Sequence, residues 1–517
     1  MAKAKQLFIN LIASVVVFLI QFLISFWLSP YVVSKLGEEA YGFITLANNF
    51  TQYAPLIAVS INSMSSRFIS LEYNRGNKEK ANQYYSSVFW MNVILSVVVF
   101  IASSVMICYI ENIINVNPKF VTDVKLVFAL SFVGLIISFL TTCFNSSTFV
   151  TNRMDLNAYT QIATNVIRVI VILGSFILFA PKIYFVSLAT VICNLVAFVI
   201  YLFIKKRFLP ELSIKRKFFS FKRILELVKS GMWLLVSDIS SIFLNGMDLL
   251  LANLFISEKA MGRLSVSKII PTAISGLLGF LSNIFAATFT STLATGDKDG
   301  LVKEVKFSFK ILGVFLTVPF AGIIIFGQEF FTLWLPSNVY DANALNQVYI
   351  LMMLTLINVM INAYMYSIHA LLIAIDKVKA YSIMIFACSI VSICSTFSLV
   401  AFTDLGIYAV AGTSTAVLGT INLFVIPMYV EKQLAIKPFT FLGTIFKSHG
   451  TLIITCTLFF VLKQIVTINS WISFFVVCGL CAILGYLVDF WILLNRDEKK
   501  MVIEKISARI KGLREVK

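Results

Sequence analysis

Long apolar runs alternate with short polar intervals from one end of the chain to the other. The runs approach or exceed the roughly twenty residues that carry a helix across a bilayer core. They predict about fourteen transmembrane helices, the first near 7–29, the second near 40–69, the eighth near 262–293 and the last near 470–494. The 7–29 run is too long for a signal-peptide core and lacks a small-residue cleavage site, so it reads as the first span. Pro55 lies inside the second run and Pro271 inside the eighth, so both helices should break there. No polar interval reaches the size of a soluble domain.

Composition makes the class firmer. Of 517 residues, 59% are hydrophobic and 13% charged, where a soluble domain carries roughly 25% charged residues. The fold class is an all-α integral membrane protein. Most of the 42 lysines and arginines fall in alternate intervals, whereas Lys35, Lys119, Lys182, Lys259, Arg263 and Lys463 lie on the other side. That bias places both termini in the cytoplasm. The net charge of +17 then faces anionic membrane lipids, and nucleic acid is an unnecessary partner. The interval "KKRFLPELSIKRKFFSFKR" and the tail, with Ile503, Ile506, Ile510 and Leu513 at helical spacing, suit helices lying on the inner leaflet.

A repeat organises the spans. "KLGEEAYGF" from Lys35 is echoed by "ISEKAMGRL" from Ile256, with Glu38, Ala40 and Gly42 recurring as Glu258, Ala260 and Gly262. "GNKE" at 76–79 is echoed in the same register by "GDKD" at 296–299. The expected organisation is two pseudo-twofold six-helix lobes, 1–204 and 230–430, joined by a basic linker, 205–229. Two additional transmembrane helices, 431–494, and a basic amphipathic cytoplasmic tail, 495–517, follow. Two such bundles leave a crevice where transporters place substrate. Glu38 and Glu39 read as exposed residues at the outer rim. Gly42 and Gly262 read as sites of tight packing.

Polar residues inside the runs share single faces when each helix is drawn at about 100° per residue. Asn48 and Gln52 do so in the second span, and Asn157, Gln161 and Arg168 in the fifth. The seventh has Asp238, Asn245 and Asp248; the eighth has Ser265, Lys268 and Ser275; the tenth has Asn358, Asn362, Tyr366 and His369. Lipid cannot satisfy such groups. Stripes in both lobes predict a hydrated cavity in addition to ordinary contacts between helices.

Arg168 falls near the midplane, where insertion scales put a charge at roughly 2.5–3.5 kcal/mol. A guanidinium suits bidentate phosphate binding. Arg168, Arg67 and Lys268, with Asn48, Gln52 and Gln161, are therefore the candidate residues for a polar, anionic substrate. Asp238 and Asp248 are candidates for binding a coupling ion, Na⁺ or H⁺, or for pairing with Lys268 or Arg168. Asp489 reads as a packing or pairing residue. The eight cysteines lie within apolar runs and there are two histidines, so no metal or organic cofactor is expected. A membrane enzyme would need a nucleophile or base in a dedicated loop, and no Gly-Lys-Ser/Thr phosphate loop occurs.

"LGEEAYGFITL", the basic N-terminus and "RFISLEYNRGNKEKANQYY" together resemble the polysaccharide flippases of the MATE-like superfamily, the Wzx-type transporters of O-antigen and capsule repeat units. The span count and the two lobes extend the resemblance over essentially the whole chain. It implies a flippase and not an enzyme. The implied substrate is an undecaprenyl-pyrophosphate-linked oligosaccharide, moved from the inner to the outer leaflet of the bacterial cytoplasmic membrane by alternating access. A polysaccharide polymerase and chain-length proteins are the further partners it implies. "GDKD" is less basic than "NRGNKEK", so no substrate residue beyond Lys268 is carried into the second lobe. Two relatives in the same superfamily remain open: a multidrug or cation antiporter, and a lipid II flippase. The former should show acids along both lobes, whereas here the first lobe has an arginine at mid-depth.

Overall fold

The computed structural model describes residues 2–500 except 295, 376 and 497. The apolar face expected at Ile503, Ile506, Ile510 and Leu513 lies outside the described residues. Every regular element among the described residues is helical. α1 (Ala2–Leu36), α2 (Glu38–Tyr53), α3 (Leu56–Asn74), α4 (Lys78–Cys108), the single turn α5 (Ile110–Ile113), α6 (Val121–Val150), α7 (Met154–Leu178) and α8 (Tyr184–Phe208) come first. α9 (Phe221–Ser241) and α10 (Asp248–Phe255) flank a π-helical segment, Ile242–Gly246. α11 (Glu258–Ser267), α12 (Ile269–Ala294), α13 (Lys298–Trp334), α14 (Ala342–Ala374), α15 (Val378–Phe402) and α16 (Ile407–Thr420) follow. A second π segment, Ile421–Val425, leads into α17 (Ile426–Gln433), α18 (Thr440–Ile465) and α19 (Trp471–Leu493).

Twelve helical stretches among the described residues are long and apolar enough to cross a membrane. The chain is a multi-pass membrane protein. The two expected spans outside that set are the second and the eighth, each interrupted near its proline, whereas Pro319 is carried inside the continuous α13. α2 ends at Tyr53 and α3 begins at Leu56, because Pro55 cannot donate the helical hydrogen bond. The other break comes at Lys268, ahead of Pro271, which then sits in the first turn of α12, where its missing donor is harmless. Among the described residues there are thus twelve spans and two interrupted helix pairs where about fourteen spans were expected.

The echo of "GNKE" in "GDKD" has a local cause. Gly76 and Gly296 turn the chain at φ +81° and +77°, a region open to glycine. Asn77 then accepts from the Lys80 N–H at 3.1 Å and caps α4; Asp297 accepts from the Gly300 N–H at 2.8 Å and caps α13.

Packing divides the chain into two compact units: Met1–Ile269 with Ser382–Ser414, and Ile270–Tyr381 with Thr415–Lys517. These boundaries follow contacts and fall inside α15 and α16, elsewhere than the sequence repeat. In the first unit α6 packs on α4 and α8, α3 on α9, and α2 on α11. In the second, α13 packs on α14, α18 and α19, around Leu312, Phe320, Phe326, Phe459 and Cys481.

The basic linker departs from expectation. It is not a helix on the leaflet; between α8 and α9 its regular structure is one 3-10 turn, Arg216–Phe218. The segment is pinned along α4 instead. Asn82 Oδ1 accepts from the Ser213 N–H at 2.6 Å, Ser86 Oγ donates to Ser213 O at 2.9 Å, and Ser87 Oγ accepts from the Ser220 N–H at 2.8 Å. Leu209 and Leu212 are buried in the first unit's core. Their burial, with the α4 hydrogen bonds, replaces the apolar face that a surface helix would offer to lipid.

Candidate functional site

In the first unit, polar groups converge on α2, the first π segment and the end of α11. A π turn inserts one residue into the helical ladder and disturbs its hydrogen bonding. Here the exposed carbonyls find side-chain donors. Asn49 Nδ2 donates to Gly246 O at 3.0 Å, and the Tyr53 hydroxyl donates to the same oxygen. Lys268 Nζ donates to Asn245 O at 2.7 Å and ion-pairs with the Asp248 carboxylate. Of the candidates chosen from sequence, the structure therefore joins Lys268 and Asp248. Their side chains are 21% and 13% exposed, sheltered enough for the pair to matter.

The other candidates are not tied in this way. Arg168, half-buried on α7, donates from Nη2 to Thr190 Oγ1 of α8 at 3.2 Å. Among the described residues no carboxylate pairs with it. Arg67 on α3 and Asp238 on α9 are exposed, and among the described residues neither has an ion partner. The side chains of Asn48, Gln52 and Gln161 likewise make no hydrogen bond among the described residues, which leaves their donors and acceptors available.

Two features escaped the sequence. Asn49 and Tyr53, which hold the π segment, are i, i+4 neighbours one position beyond the Asn48–Gln52 face; a second polar face on one helix was the available signal. Asn62 and Asn92 exchange amide hydrogen bonds at 3.1 and 3.0 Å, and no spacing rule links α3 to α4. In the second unit a related chain of amides runs from Asn422, on the second π segment, to Asn362 and on to Asn358. His369 packs on Tyr381 with ring centroids 5.0 Å apart.

The echoed segments at the start of α2 and in α11 pack on each other. Glu38 is 5% exposed, which corrects its reading as an exposed rim residue. Its carboxylate meets Arg263 Nε at 3.3 Å and Lys259 Nζ at 3.8 Å. Burial pushes the Glu38 carboxyl up, against the downward pull of Arg263 and Lys259. The backbones touch: a Cβ on Gly262 would fall 2.4 Å from Glu38 O, and one on Gly42 would fall 3.0 Å from Gly262 Cα. Tight packing at both glycines is as expected, with each copy as the other's neighbour.

A multi-pass helical bundle with interrupted helices and charges within its spans is the architecture of a membrane transporter. The chain belongs to the family described as "Polysaccharide biosynthesis protein", which it matches over residues 7–290. It is 27% identical over 504 residues to the "Uncharacterized membrane protein EpsK" of Bacillus subtilis (strain 168), with 98% of each chain covered. Its fold is shared with the lipid II flippase MurJ in an inward closed conformation, with a TM-score of 0.70 and 15% identity, over 92% of this chain and 97% of that one. It is also shared with an inward-facing multidrug resistance MATE family transporter of the MOP superfamily, with a TM-score of 0.60 and 15% identity, over 81% and 94%. At these identities the two solved structures speak to fold.

Proposed function

We propose that the protein translocates undecaprenyl-pyrophosphate-linked oligosaccharide repeat units from the inner to the outer leaflet of the bacterial cytoplasmic membrane, by alternating access, for surface polysaccharide assembly. The observation that carries this reading is Arg168, a guanidinium inside an apolar helix with a hydroxyl beside it and, among the described residues, no carboxylate partner. A charge in that setting needs water or an anion. A pyrophosphate supplies oxygens that match the planar array of guanidinium donors. The available amides of Asn48, Gln52 and Gln161 suit sugar hydroxyls, Arg67 extends the positive character of the same unit, and Lys268 adds to it once it leaves Asp248. Such a lining is poorly matched to an organic cation.

Asp238 and Asp248 take the part of coupling residues for Na⁺ or H⁺. Asp238 is ready to bind a cation, and Asp248 becomes ready when Lys268 leaves it. The basic linker meets anionic lipids with both termini cytoplasmic, and a polymerase with its chain-length proteins receives the product.

The test is surface polysaccharide in cells whose own copy has been replaced. Arg168→Ala should abolish it with unchanged membrane abundance, and Arg168→Lys should restore part. Normal polysaccharide in the alanine variant overturns the reading. Cells that keep their polysaccharide but need this chain for lipid II translocation would reassign the substrate.

A further inference from the structure

Asp489 on α19 is 0% exposed, and neither carboxylate oxygen has a hydrogen-bond partner among the described residues. Its surroundings are fixed by the turns on either side. One turn before it, a Cβ on Gly485 would come 2.8 Å from Val318 and 3.3 Å from Thr455. One turn after it, Leu493 reaches Gly313, where Ser448 Oγ also lies. Asp489 therefore faces the seam between α13 and α18, which holds Thr317, Ser448, Thr451 and Thr455, all buried.

The hydroxyls of that seam are already engaged as donors. Thr317 donates to Gly313 O at 2.6 Å, Thr451 to Lys447 O at 2.9 Å, Thr455 to Thr451 O at 3.0 Å and Ser448 to Thr444 O at 3.3 Å. Each of these protons is spent on a backbone carbonyl, and none of the four hydroxyls donates to Asp489. The nearby charges do not supply a donor. On α13, Lys310 is held by Glu498 at 2.8 Å, and at the far end of α18 Lys463 is held by Glu329 at 2.6 Å. Lys447 and His449 flank Ser448, and His449 Nδ1 contacts Ile445 O at 2.8 Å. The other titratable neighbours are the phenols Tyr364 on α14 and Tyr486 on α19. Among the described residues no basic nitrogen pairs with Asp489.

An ionised carboxylate that no neighbour reaches with a hydrogen bond is left unsatisfied. A bound cation resolves this, and full packing around Asp489 leaves a proton as the cation that fits. We propose that Asp489 is a proton-binding site, held as the neutral acid in this conformation. A cavity of about 10 Å³, lined by Gly313, Thr317, Tyr364, Ser448, His449 and Leu452, opens on the same seam. That is room for one water, which gives the proton a polar step between Ser448 and His449. The site belongs to the second unit and does not depend on which lipid is carried.

Infrared spectroscopy of the full-length protein in lipid nanodiscs tests it, through the C=O stretch of a protonated carboxylic acid at neutral pH. The wild type should show this band, Asp489→Asn should lose it, and Asp489→Glu should shift it. The band should be the same in sodium chloride and in choline chloride. No band assignable to Asp489 at neutral pH overturns the proposal. A band that vanishes when sodium replaces choline overturns it in favour of a sodium site. The shift in Asp489→Glu makes the assignment independently of whether the asparagine variant accumulates.

Discussion

Lys268 and Arg168 are both cations within apolar segments of one packing unit, and they are held in opposite ways. Lys268 lies at a helix break, against a π-segment carbonyl and a carboxylate. Arg168 lies in an unbroken helix with one hydroxyl contact. The first charge is neutralised by the fold and so contributes to it. The second is left to solvent or ligand. Position in the sequence does not distinguish them; the helix break and the π turn do, because they turn backbone oxygens towards Lys268.

The largest effect that would break this contrast is at Arg168. Its alanine variant should lose transport entirely while its thermal unfolding in detergent stays near wild type, since one hydrogen bond contributes about 1 kcal/mol. A large fall in stability would place Arg168 with Lys268 after all. At Lys268 the order reverses. Lys268→Ala strands Asp248 and should destabilise by about 3 kcal/mol, whereas Lys268→Leu with Asp248→Leu should recover most of the loss. A double-mutant cycle measures the coupling directly, and additive losses would deny the pair.

Next in size is Gly262→Ala, whose methyl would overlap Glu38 O; overpacking of this kind costs about 1–3 kcal/mol. Unfolding curves unchanged from wild type would show that α2 and α11 can separate freely. Within α2, Asn49→Ala should cost about 1 kcal/mol through Gly246 O, while Asn48→Ala should leave stability unaltered and reduce transport. Equal stabilities would erase the distinction between engaged and available amides.

The smallest effect is at Lys78 and Glu211, where each holds the other in its charged form, raising the lysine and lowering the carboxyl. The support that Glu211 gives to the linker is present above its ordinary carboxylate range and is lost as pH falls through its lowered value. Proteolysis within 205–220 should therefore speed up slightly at acid pH, and Glu211→Gln should remove that dependence.

The spans were legible because lipid forces unbroken apolar runs, and the break at Pro55 because proline lacks a donor. Pro271 marked a break too, but Lys268 ends the helix ahead of it, since a proline is tolerated inside a first turn. Charge identity was also legible: Arg168, Lys268 and Asp248 stood out as costly in an apolar run. Pairing of Asp248 with Lys268 was one of the alternatives open in the sequence; the choice among them was not legible, because it depends on a π turn at Ile242–Gly246 that no composition announces. Glu38 was misjudged for a similar reason. It sits between two spans, where exposure is the ordinary expectation, and its burial comes from a segment far along the chain.

When a stretch of protein is present twice, one copy is ordinarily free to drift while the other keeps its job. The α2 and α11 copies lack that freedom. Each supplies the wall against which the other rests, to the point where one carbon on Gly262 has nowhere to go. A change in either copy is thus tested at once by its sibling, and the two can diverge only in matched steps.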